Sequence, residues 1–128
     1  MRRFVIALPL LSPLPASAFD YILKFEQTCS YESASFKCER SSRTARISQK
    51  PNGSWVGREG SEQISLRVIK DDDYVLVLEN PVLFSGTSTI HIMKATLRFY
   101  WSEVAYSEIL KADEAHMRVG QVVLGKVN

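Results

Sequence analysis

The sequence predicts an all-β protein: a single antiparallel meander of about eight to ten short strands, closed into a small barrel or, as second choice, folded into a two-layer β-sandwich. Three observations predict it. Apolar and polar residues alternate with period two through much of the chain after residue 19, which is the repeat of a half-buried strand. Turn-forming groups recur at short intervals, among them Asn52-Gly53, Asp71-Asp72-Asp73, Asn80-Pro81 and Ser85-Gly86. β-Branched and aromatic residues concentrate at Thr89 to Met93 and Thr96 to Trp101, and these fit a pleated surface. The barrel is preferred to the sandwich because closure removes unpaired strand edges.

Residues 1–18 stand apart from this pattern. Arg2 and Arg3 precede an uncharged stretch from Phe4 to Leu14, and Ala16-Ser17-Ala18 places small residues at −3 and −1 of a cut before Phe19. Those are the three parts of a cleavable signal peptide. Pro9, Pro13 and Pro15 and the shortness of the apolar run argue against a membrane helix, which needs about 20 residues. The expected product is a single domain, 19–128, exported to a periplasmic or extracellular space, with no membrane span in the mature chain.

Within 19–128 the strands follow in order. Tyr21, Leu23 and Phe25 share one face, with Lys24 and Glu26 opposite; Phe36 and Cys38 repeat the pattern. Asn52-Gly53 is a hairpin turn ahead of Trp55 and Val56. Ile64, Leu66 and Val68 alternate up to the Asp71-Asp72-Asp73 turn, and Tyr74 to Leu78 returns as a strand apolar on both faces. Val82-Leu83-Phe84 lies between two turn signals. Trp101, Ala105, Ile109, Ala112 and His116 form a helical stripe, but Val104, Tyr106 and Leu110 fall off it. The reading favoured here is a strand from Ser102 to Leu110, a turn at Ala112 to Ala115, and a last strand around Met117 to Val122.

Cys29 and Cys38 are the only cysteines. In an oxidising compartment an even count predicts one disulfide between them, closing a short loop and adding roughly 2.5 kcal/mol in the chain-entropy model. The chain holds 16 Lys and Arg against 14 Asp and Glu, and loss of Arg2 and Arg3 leaves 14 against 14. The mature chain therefore gives no basis for a nucleic-acid partner.

Candidate sites are few. Lys37, Arg40, Arg43, Arg46 and Lys50 face only Glu39 in their stretch, so they form a possible interaction patch for an acidic protein or polymer. Trp55, Phe99, Tyr100, Trp101 and Tyr106 are a possible aromatic pocket or interface. His91 and His116 lack ligand-spaced partners, and the three aspartates lack the layout of a calcium loop. No metal and no cofactor is expected. No nucleophile elbow, P-loop or dinucleotide fingerprint occurs. The expectation is a non-enzymatic binding module that recognises another macromolecule. A barrel that carries a small apolar ligand is the alternative, and a hydrolase using His91 or His116 as base is the lesser one.

Overall fold

The computed structural model describes residues 19–32, 34–81 and 85–126, so the leader reading of residues 1–18 and the Val82-Leu83-Phe84 segment lie outside the described residues. Nine strands form one antiparallel sheet. They are β1 (Phe19–Glu32), β2 (Ser35–Arg40), β3 (Thr44–Gln49), β4 (Trp55–Glu59), β5 (Glu62–Asp71), β6 (Val75–Asn80), β7 (Gly86–Met93), β8 (Arg98–Ser107) and β9 (Ala112–Lys126). Strands β3 to β9 pair in sequence order with β1 before them, and β9 returns to β1. The result is the predicted barrel, of eight strands, with β2 as an extra strand.

The long strand β1 makes that arrangement possible by serving two neighbours on one edge. Asp20–Lys24 pairs with β3 and Gln27–Glu32 pairs with β2, while β9 runs along the other edge from Phe19 to Ser30. A bulge between Phe25 and Gln27 separates the two halves. It also switches which residues face inward. Before it, Leu23 and Phe25 are in the core; beyond it, Thr28 and Ser30 lie opposite the inward-facing Arg118 and His116. Gly120 sits opposite Phe25 at this bulge, where a Cβ would lie 2.0 Å from the carbonyl oxygen of Lys24. Only glycine allows that approach.

Inward residues of all eight barrel strands fill the interior. Leu23, Ile47, Leu66, Leu76, Leu78, Ile90, Ile92 and Phe99 are buried there, with Phe25 packed against Phe99 (ring centroids 5.4 Å) and edge-on to Trp101 (6.2 Å). The predicted β5–β6 hairpin forms about the aspartates. Asp72 Oδ1 accepts hydrogen bonds from the amides of Tyr74 (2.8 Å) and Val75 (2.9 Å), so Tyr74 belongs to the turn, not the strand.

The chain from residue 102 onward differs from its sequence reading. Strand β8 ends at Ser107, residues 108–111 turn, and Ala112 to Ala115 lie in β9. The turn closes where the Leu110 amide donates to Ser107 Oγ (3.2 Å) and Lys111 takes a left-handed conformation, φ 56°. Apolar Ile109 and Leu110 look like strand residues in the sequence, yet they cap an exposed tip. The helical stripe is not realised, and Glu103 and His116 face each other across β8 and β9.

Candidate interaction surface

The aromatic candidates divide by strand parity. Trp55, Phe99 and Trp101 are core residues, and Trp55 stacks on Tyr21 at 6.1 Å. Tyr100 and Tyr106 point outward on β8 and are exposed. Trp101 Nε1 donates to Ser88 Oγ (2.9 Å), Ser88 Oγ donates to Glu103 Oε2 (3.2 Å), and Arg118 lies 3.4 Å from Glu103 and 4.9 Å over the Trp101 ring. This network crosses one mouth of the barrel. The space left above it is about 200 Å³, lined by Trp101, Arg58, Glu59, Glu62, Glu103 and Arg118 among others. It is polar and below the roughly 300–1,000 Å³ of ligand pockets.

The five basic candidates do not share one surface. Lys37 and Arg40 lie on the extra strand β2, whereas Lys50 follows β3 at the opposite end of the barrel. Arg43 is ion-paired with Glu59, and Arg46 with the buried Asp20. The fold adds two cations that the linear charge run missed. Lys24 and Arg98 join Arg40 around a cleft of about 890 Å³ on the outer face at the β1 bulge. Arg98 makes a two-pronged contact with Glu26 there (2.9 and 3.3 Å), which holds the guanidinium pKa above its ordinary value. Lys24 and Arg40 form no ion pair among the described residues.

Sequence reasoning also missed the surface that two hairpins build together. The β1–β2 and β8–β9 hairpins rise side by side, because β9 pairs with β1 as far as Ser30–His116 and with β8 as far as Ser107–Ala112. Tyr31 and Phe36 are cross-strand partners with rings 5.6 Å apart, edge to face. Tyr31, Val104 and Tyr106 line a shallow cleft of about 630 Å³ with Gly86, Thr87 and Asp113. Ile109 and Leu110 are 93% and 68% exposed at the adjoining tip. Six large apolar side chains are thus exposed at one end of the barrel. Of these the sequence singled out Tyr106; the two hairpins become neighbours only through the β1–β9 register, which no local pattern announces.

The histidines show less. His91 is exposed on the outward face of β7 between buried Ile90 and Ile92. His116 Nδ1 lies 3.0 Å from Ser30 Oγ, and its Nε2 is 3.8 Å from Glu114. This is a hydroxyl beside a base, but neither Ser30 nor His116 lines any of these clefts. Among the described residues no three His, Cys, Asp or Glu side chains gather as a metal group, and no helix is long and apolar enough to cross a membrane. Cys29 and Cys38 are joined as a disulfide. No family model, curated protein or solved structure matches the chain.

Proposed function

We propose that the protein is an exported, non-enzymatic binding module that recognises another macromolecule through the hairpin end of its barrel. The observation that carries this reading is the exposed cluster of Tyr31, Phe36, Val104, Tyr106, Ile109 and Leu110. Folded monomers rarely leave large apolar patches uncovered unless something docks on them. Aromatic side chains at the centre of an interface also carry a large share of its binding energy. Val104 stands on β8, paired on both sides within the closed sheet, and the Cys29–Cys38 disulfide ties together the hairpin that carries Tyr31 and Phe36, so the rings are presented at little ordering cost.

Two further observations favour the reading. The packed interior supports a binding surface over a cargo cavity, since core side chains occupy the space an apolar ligand would need. The disulfide fits an oxidising compartment, in line with the leader pattern of residues 1–18. Co-purification from the protein's own exported fraction tests the proposal. The wild type is expected to retain a macromolecular partner that a Val104→Asp/Tyr106→Asp variant of unchanged thermal stability releases. A wild type that stays alone at every ionic strength, or a variant that keeps the same partner, overturns it. A co-purifying apolar small molecule in native mass spectra would instead support the ligand-carrying barrel.

A further inference from the structure

Among the described residues, β2 is the strand that pairs with a neighbour on one side only. Its open side has no strand partner among the described residues, its six side chains are all exposed, and its register with β1 runs unbroken from Ser35 to Arg40. Such an edge is a template for another strand. The direction of its backbone groups follows from the disulfide. Cys29 and Cys38 are directly opposed with Cα atoms 4.0 Å apart, which marks a close, non-hydrogen-bonded pair of an antiparallel ladder. In that pair the N–H and C=O of Cys38 point away from β1, and by the two-residue alternation so do those of Phe36 and Arg40. The bond from the Ser41 amide to the Glu26 carbonyl (3.0 Å) fits the same alternation. Three residues therefore offer six backbone groups to the open side.

We propose that β2 docks on β2 of a second copy of this chain, antiparallel about Cys38, and joins two barrels into one continuous sheet across a two-fold axis. The charges choose both the partner and the register. Centring on Cys38 sets Phe36 opposite Arg40, and Lys37 opposite Glu39, each pair twice, with all six outward groups of each strand bonded. Sliding by one step to centre on Lys37 sets Lys37 against Lys37; centring on Glu39 sets Glu39 against Glu39. Like charges directly opposed destabilise a sheet, and opposite ones favour it. Neither Lys37 nor Glu39 has an ion-pair partner within the chain among the described residues, so both are available. The guanidinium of Arg40 would meet the face of Phe36 from the other copy, a favourable cation–aromatic contact. A short strand edge buries little area, so the dimer forms at about micromolar to millimolar concentrations.

Sedimentation and amide exchange of the purified protein test this. On raising the concentration, the amides of Phe36, Cys38 and Arg40 gain protection together with dimer formation, while those of Lys37 and Glu39 are protected throughout by β1. Lys37→Glu and Glu39→Lys each weaken the dimer by about tenfold or more, since each opposes like charges. The Lys37→Glu/Glu39→Lys double variant restores it. Both side chains are exposed, so these changes leave the barrel intact. Fast exchange at the three amides with no dimer up to about 1 mM, above the range expected of so small an interface, overturns the proposal. So does a dimer that the charge swap fails to restore, or a peptide from another protein that protects the three amides where a second copy does not.

Discussion

The indole Nε1 of Trp101 donates to Ser88 Oγ across 2.9 Å, and both residues are buried. The hydroxyl in turn donates a hydrogen bond to Glu103 Oε2 (3.2 Å), and Glu103 meets Arg118 above the indole ring. One serine therefore links the apolar core to the charged mouth of the barrel. Ser88 Oγ accepts from the indole and donates to the carboxylate, using both of its hydrogen-bonding roles.

Replacing Ser88 by alanine removes that link and leaves the indole N–H buried without an acceptor. The expected cost is about 1–3 kcal/mol, the penalty of an unsatisfied buried donor. Chemical denaturation of Ser88→Ala checks it. A loss smaller than that of an exposed serine substitution such as Ser65→Ala would show the network to be dispensable.

Gly120→Ala should be among the most damaging single-methyl additions available. The new Cβ would sit 2.0 Å from the Lys24 carbonyl oxygen, a backbone atom on the seam that closes the barrel. Neither strand can yield without disturbing the β1 bulge, so a loss of about 3 kcal/mol is expected, at the top of the overpacking range. Gly60→Ala is the contrast. It has open space around it at φ +62°, and its cost is the left-handed strain alone, about 1–2 kcal/mol. Thermal melts of the two variants side by side measure the difference.

The Asp72 carboxylate gives the β5–β6 turn a defined response to acid. Hydrogen bonds from the amides of Tyr74 and Val75 lower its pKa below the ordinary value of 3.8. Because the folded value is depressed, the associated stability is fully present above the unfolded pKa and is lost as pH falls through the folded one. The turn should therefore be indifferent to pH at neutrality and loosen only in acid below about pH 3.8. Carbon-detected titration of the Asp72 carboxyl should show a midpoint below that value. In Asp72→Asn, whose oxygen can still accept both amides, the turn should persist at neutral pH and lose its acid response.

The succession of strands and turns and the Cys29–Cys38 bridge were legible in the sequence because each has a local sign, whereas the barrel was preferred to the sandwich on the general cost of open strand edges. Period-two alternation marks Tyr21 to Phe25 and Ile64 to Val68, and Asn52-Gly53 marks a turn. The surface was not legible. Whether Phe99 or Tyr100 faces inward depends on the register of β8 against β7 and β9, and the bulge after Phe25 reverses parity along β1 with no signal beyond a distant glycine. The turn after Ser107 was misplaced because Ile109 and Leu110 have strand-like composition. Tertiary pairing decided what composition left open.

The linear run of basic residues hides different duties, and Arg46 separates them from the rest. Its guanidinium pairs with Asp20, whose side chain is only 3% exposed, while Arg46 itself is about half exposed. The other oxygen of that carboxylate, Oδ1, is buried with no hydrogen-bond partner among the described residues. Arg46→Ala therefore leaves a buried anion without the counter-charge it pairs with among the described residues. Breaking a fully buried pair costs about 3–5 kcal/mol, and the exposure of Arg46 reduces the expected loss to about 2 kcal/mol. Lys50→Ala, in an exposed turn with no ion pair among the described residues, should change stability by no more than about 0.5 kcal/mol. Asp20→Asn in the Arg46→Ala background should recover much of the loss, because a neutral amide tolerates burial better than an unpaired carboxylate. Denaturant midpoints of the three variants decide the matter; equal losses for Arg46→Ala and Lys50→Ala would mean that the Asp20 carboxylate is held by solvent and not by its arginine.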